Sequence, residues 1–257
     1  MDFITVKRED MTACIEISRP PANALAQAVL KELSEALDQI ENDSGIRVVI
    51  LCGKGRFFSA GADIKEFVQF REGGRFDEVA VSGQDLFERV ESFPKPVIAA
   101  IHGAALGGGL ELAMACHIRL VTENAKLGLP ELKLGLVPGF AGTQRLPRYV
   151  GWGKAFEMLW TSEPVSGTEA VKWGLANHAY HEEELLPKAK ELAAKIAKQS
   201  PLATKAVIEL VNLAKTNEYK RGLKQESEMF QTLLSSKDGE EGIKAFIEKR
   251  EPHFNGE

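Results

Sequence analysis

An α/β fold that ends in an all-helical region is predicted by three features of the sequence. Short β-branched or apolar runs, closed by glycine, proline or charge, alternate with stretches of helical period through the first two thirds. The last third keeps the helical period alone. A chain of 257 residues, 44% hydrophobic and 27% charged, carries enough apolar content for one large core.

Taken in order, Thr12 to Ser18 reads as a strand, and Ala26 to Glu41 as a helix, because Val29, Leu30, Leu33, Leu37 and Ile40 recur on one face. Val48 to Cys52, Pro96 to Ile101 and Ile118 to Val121 are further strands, and their alternation with helices implies the α/β core. Gln69 to Ala80, with Gly73 and Gly74 among charges, reads as a mobile loop over a site. From Glu182, the stripe Leu185, Leu186, Ala189, Leu192, Ala193 and Ile196 marks a helix. Ser200 and Pro201 then form the N-cap and first residue of another, and helices continue to about Arg250. The expected division is a core at 1–195 and a helical region at 196–257.

The net charge of -5 offers no global positive field, so nucleic acid is not expected as the main partner. Cys14, Cys52 and Cys116 are scattered, form no CxxC pair, and read as small buried residues without disulfide or zinc. The first twenty residues lack a basic start followed by an apolar run, and no stretch reaches the roughly 18 apolar residues of a membrane span. A cytoplasmic protein with no membrane contact is expected.

Two segments concentrate the chemistry. In HGAALGGGLELAM, residues 102 to 114, a strand is expected to turn through Gly107 to Gly109 into a helix. Unpaired backbone donors point outward from such a start. The Gly108 N–H can then bond an oxygen that gains charge during reaction, with Glu111 about one turn further on. In FFSAGADIKEF, residues 57 to 67, small residues again follow a strand, and Ala62 N–H is the second candidate donor. Glu131, in GLPELKLG, comes from a different element. Paired with Glu111 across a small cavity, it would let one carboxylate activate water while the other moves a proton to carbon.

PPANAL, SAGADIKE, AALGGGLELAMACH, LGLPELKLGLVPGFAGTQRL, EAVKWGLAN and the tail EGIKAFIEKREPHF together resemble the enoyl-CoA hydratase/isomerase, or crotonase, superfamily over essentially the whole chain. That resemblance implies a spiral of ββα units and a C-terminal helical trimerisation region, giving trimers or dimers of trimers. It implies an acyl-CoA thioester substrate and no metal or redox cofactor, coenzyme A being part of the substrate. Ala62 and Gly108 would form the oxyanion hole. Glu111 would activate water for attack at C3, and Glu131 would exchange the proton at C2. Ala22, Ala24, Ala60, Asp63, Ile64, Lys65, Gly107, Pro138 and Gly139 would line the substrate path.

Two acids favour hydration, giving 3-hydroxyacyl-CoA by reversible syn addition of water to a trans-2-enoyl-CoA in fatty-acid or branched acyl-CoA degradation. The alternatives are a methylglutaconyl-CoA hydratase, an enoyl-CoA isomerase, or a noncatalytic acyl-CoA or RNA-binding relative. PANAL is one residue shorter than the common KALNAL pattern. Phe140 and Ala141 replace small residues or glycine, a change expected to narrow the acyl pocket. His102 reads as structural, Lys54 and Arg56 as a solvated rim, and Lys65 as the best phosphate partner. Lys249, Arg250 and Phe254 belong to a tail that reads as surface unless it crosses an interface.

Overall fold

The computed structural model describes residues 1–63, 66, 76–216 and 218–257. Its main sheet has six strands in the order β1 (Ile4–Glu9), β2 (Thr12–Ile17), β3 (Val48–Gly53), β4 (Val97–Ile101), β6 (Ile118–Thr122) and β9 (His178–Tyr180). β1 and β2 are antiparallel, and every later pairing is parallel. A second sheet joins β5 (Ala104–Leu106), β7 (Lys126–Gly128) and β8 (Val165–Ser166).

β3 and β4 read as unbroken apolar runs because both faces of the sheet are covered. Val49, Leu51, Ala99 and Ile101 join the larger core, which also takes Val29, Leu33, Leu37 and Ile40 of helix α1 (Gln27–Asn42). Val48, Ile50, Cys52, Ile98 and Ala100 face the other way, onto Leu185, Ala189, Ala193 and Ala197 of helix α6 (Glu182–Ala197). This helix ends at Ala197, two residues past the expected 195/196 division.

The spiral is visible in the chain order. A strand of the main sheet is followed by one of the small sheet and then by a helix: β4, β5 and α3 (Gly108–Ala115), then β6, β7 and α4 (Gly142–Thr161), the last broken at Gly151. Helix α2 (Phe76–Glu91) precedes β4, and the short α5 (Gly167–Lys172) follows β8. The turn expected at AALGGG is therefore partly strand, because Ala104 to Leu106 find backbone partners in β7. The expected loop at 69–80 lies outside the described residues up to 75, and from Phe76 it is helix.

Helices α7 (Pro201–Ala214), α8 (Tyr219–Leu234) and α9 (Lys237–Glu248) complete the chain. Ser200 caps α7 as expected, its hydroxyl accepting from the Ala203 N–H at 3.3 Å. The tail folds back on its own chain: buried Asp238 accepts from the N–H groups of Asn255 and Gly256, and Arg47 donates to the carbonyls of Ala197 and Phe254. Among the described residues no helix is long and apolar enough to cross a membrane.

Candidate active site

Three backbone segments converge at the C-terminal ends of β3 and β4. The first is the loop 57–62, laid beside β5. Ser59 N–H donates to Ala104 O, and Leu106 N–H donates back to Ser59 O, so the loop runs as a short strand toward Ala62. Asn23 pins its outer side. The Asn23 amide donates to Lys54 O at 2.9 Å and Phe57 O at 2.7 Å, and the Asn23 carbonyl accepts the buried Ser59 hydroxyl. Leu25 N–H reaches Gly61 O and Ala60 N–H reaches Ala22 O, which places Ala22, Ala24 and Ala60 along one edge of the site.

The second segment is the turn from β5 into α3. Gly107 has φ +50 and ψ -127, a backbone shape open to glycine and strained for other residues. It sets Gly108 as the first helical residue, whose N–H has no intrahelical acceptor. A Cβ at Gly108 would lie 3.3 Å from Ala62 N, so the two proposed donors are close neighbours. Among the described residues neither N–H donates to a protein acceptor.

The third segment, 130–142, supplies the second acid and holds the first. Glu111 is 1% exposed, and its Oε1 accepts from Phe140 N–H at 2.8 Å and Gly142 N–H at 2.7 Å. A side chain at position 142 would stand 2.9 Å from that oxygen, so Gly142 is what permits the approach. Glu131 opens a 3-10 turn (Glu131–Leu134) directly after Pro130. Its Oε1 lies beside Gly107, and its Oε2 is buried with no hydrogen-bond partner among the described residues.

Burial, and then the charge of Glu131, raise the Glu111 pKa to about 7, against the lowering effect of its two backbone donors. Burial also raises that of Glu131. The two backbone donors favour charge on Glu111, while burial favours the protonated form of both acids. Two carboxylates of raised proton affinity thus stand near a pair of N–H groups that donate to no protein acceptor among the described residues.

The structure gathers Ala62, Gly107, Gly108, Glu111 and Glu131, with Pro138 next to Gly142 and an open space where a Gly139 side chain would be. The Asp63 carboxylate pairs with Arg19. Ile64 and Lys65 lie outside the described residues. The His102 ring bonds Gly55 O at 2.8 Å and braces the turn after β3. Arg250 is engaged by Glu241 and Glu248.

Phe140 is buried beside the proposed donors. Its ring is 4% exposed and packs edge-on against Phe87 of α2, against buried Gly83 and beside Gly108. It fills core between α2 and the start of α3, while Leu132, Val137, Pro138, Thr143 and Trp160 line a separate apolar groove. Sequence reasoning also missed Asn23 and the N–H groups of Phe140 and Gly142. Asn23 carried a signal, an asparagine in a Pro/Ala turn that tolerates its φ of +53.

Two oriented acids and two convergent donors define an enzyme of acid–base chemistry next to a polarised carbonyl. The chain belongs to the enoyl-CoA hydratase/isomerase family, whose model matches residues 7–257, and its fold is that of the crotonase superfamily. It is 55% identical over 258 residues to a probable enoyl-CoA hydratase of Bacillus subtilis, covering all of both chains. It is 42% identical over 254 residues to a short-chain-enoyl-CoA hydratase of Clostridium acetobutylicum, covering 97% of this chain and 96% of the relative. The crystal structure of an enoyl-CoA hydratase from Bacillus anthracis superposes with a TM-score of 0.95 at 40% identity, covering 99% of this chain and 100% of that one.

Proposed function

We propose that the protein adds water reversibly to trans-2-enoyl-CoA thioesters, giving 3-hydroxyacyl-CoA. The observation that carries this reading is the asymmetry of the acid pair: Glu111 with two N–H donors on one oxygen, Glu131 with a buried oxygen left unpartnered. The thioester carbonyl accepts from Ala62 N–H and Gly108 N–H. Glu111 takes a proton from water as its oxygen bonds to C3, and the double-bond electrons move onto the carbonyl oxygen. Glu131 then delivers its proton to C2, and the enolate collapses to the saturated thioester. The chain's own residues supply each proton transfer, so the reaction as proposed calls for no metal or redox cofactor.

The short-chain name of the Clostridium relative supports small acyl groups as first substrates. A place in acyl-CoA degradation, in the cytoplasm, goes with this reading. A trimer or a dimer of trimers goes with it too, supported by the strongly exposed Trp152, Trp160, Phe246 and Ile247.

The test is the loss of the conjugated thioester's ultraviolet absorbance on mixing crotonyl-CoA with wild type and with Glu131→Gln. Fast loss in the wild type and a fall of about 100-fold or more in the variant is expected. Absence of loss in both, with double-bond migration in 3-enoyl-CoA, overturns hydration in favour of isomerisation.

A further inference from the structure

Glu111 owes its orientation to the peptide groups of Phe140 and Gly142, and the structure shows what holds those peptides. Arg145, 3% exposed, donates from Nη1 to Phe140 O at 3.0 Å and from Nε to Glu91 Oε2 at 2.9 Å. Glu91 is the last residue of α2, and its other oxygen takes Lys215 Nζ at 2.7 Å. Lys215 directly follows α7, and Asn212 of the same helix donates to Glu91 O at 2.8 Å. Further up α2, Gln84 donates to Gly139 O at 2.8 Å, and Phe87 packs on the Phe140 ring. One face of α2 thus grips the 139–145 segment at three points.

We propose that Arg145 is a positioning residue for Glu111, fixing the Phe140 peptide whose N–H meets the carboxylate, and that Glu91 and Lys215 extend this strap into the C-terminal helices. Arg145 makes no hydrogen bond to Glu111; its charge lowers the Glu111 pKa directly, and its positioning effect runs through the Phe140 peptide. The role rests on the reading of Glu111 as the water-activating base.

Guanidinium geometry matters here because two different nitrogens serve Glu91 and Phe140 O at once. A lysine ammonium keeps the charge yet cannot stand at both places. Burial acts to raise the Glu91 pKa, but Lys215 and Arg145 outweigh it and lower it from the ordinary carboxylate value, so the strap stays ionised near neutrality.

The test compares wild type with Arg145→Lys, Arg145→Met and Lys215→Met. Each is assayed for kcat and KM on crotonyl-CoA and for the titration of Glu111 by carboxyl 13C NMR, with Glu111→Gln giving the assignment. Arg145→Lys and Arg145→Met are expected to lose kcat by about 10- to 100-fold with KM little changed, since small misplacements of a reacting group cost that much. Lys215→Met, at the outer end of the strap, is expected to lose several-fold, roughly 3 to 10.

In all three the Glu111 titration moves to higher pH as its N–H donors slip away. Lys95→Met, which removes a cap from the end of α1, serves as a control for destabilisation alone. It should leave kcat and the titration in place. If Arg145→Met fails to fold, Arg145→Lys and Lys215→Met decide the matter.

A shift in Arg145→Met that Arg145→Lys lacks would make the effect one of charge and overturn positioning. So would unchanged kcat and titration in Arg145→Lys and Lys215→Met. A titration shift in a wild-type background that hydrates no enoyl thioester leaves the strap standing and sinks the hydratase reading.

Discussion

A methyl group on Gly107 would stand 2.9 Å from Oε1 of Glu131. The residue that turns the chain into α3 is therefore also the wall against which the second acid rests. Gly107→Ala meets both a φ of +50 and that carboxylate. A loss of about 1 to 2 kcal/mol in stability is expected from the backbone alone. Turnover should fall further than that, because Glu131 must move. Thermal unfolding and crotonyl-CoA kinetics on one preparation separate the two effects, and normal kcat in a destabilised variant would clear Gly107 of any part in placing the acid.

Gly108 occupies the first helical position, where proline is tolerated by the backbone because no N–H is needed there. Gly108→Pro accordingly deletes one proposed oxyanion donor, although its added carbon would press on the Phe140 ring at 3.2 Å and on Ala62 N at 3.3 Å. A reduction in kcat of about 100- to 1000-fold is expected. Circular dichroism checks the fold, and near-normal turnover in a folded variant would place the oxyanion elsewhere.

The proton on the acid pair has a stability consequence of definite sign. The unfolded value for Glu111 is 4.5 and the folded value about 7, so the folded chain keeps a proton that the unfolded chain releases between them. The stability this group contributes is complete below pH 4.5 and is lost as pH rises through 7. Glu111→Gln cannot lose a proton. It should gain about 3 kcal/mol relative to wild type between acid conditions and about pH 8 while losing turnover. Urea midpoints at both ends of that range are the measurement, and a constant difference would mean that Glu111 titrates normally.

Asn23→Ala removes the amide that holds Lys54 O and Phe57 O and leaves a buried alanine at positive φ. A cost of about 2 to 3 kcal/mol is expected, from lost hydrogen bonds and strain together. Because the same loop carries Ala62, KM for crotonyl-CoA should rise in parallel. A change in stability with no change in KM would show that 57–62 keeps its path without the pin.

The strands β3 and β4, the helix α1 and the cap of α7 were legible because each rests on a local pattern: an apolar run, a helical stripe, or a Ser-Pro start. The strands of the small sheet were not. Ala104 to Leu106 and Lys126 to Gly128 are three residues each, and they are strands only because the chain brings them together. At the site, Glu111, Glu131, Ala62 and Gly108 stood out as chemically equipped residues in glycine-rich surroundings. What holds them did not, since backbone N–H groups at Phe140 and Gly142 carry no mark in a sequence. Phe140 shows the limit well. Its size stood out in the sequence, but the space beside Gly83 and Gly108 that takes the ring is a property of the fold alone.

The chain has three tryptophans, and Trp152, Trp160 and Trp173 are 75%, 70% and 40% exposed. Intrinsic fluorescence therefore reports on the outside of this molecule and hardly on its core. Emission from the isolated chain should lie far to the red even when fully folded, and a denaturant titration would move it little. Trp152 and Trp160 sit on either side of Phe156, with the Trp160 indole stacked on the Phe156 ring at 4.7 Å. Anything that covers this aromatic strip excludes water from two of the three emitters at once. A blue shift with rising concentration would register assembly, and the same shift at fixed concentration on adding acyl-CoA would register a ligand, so one spectrometer distinguishes the events without a label.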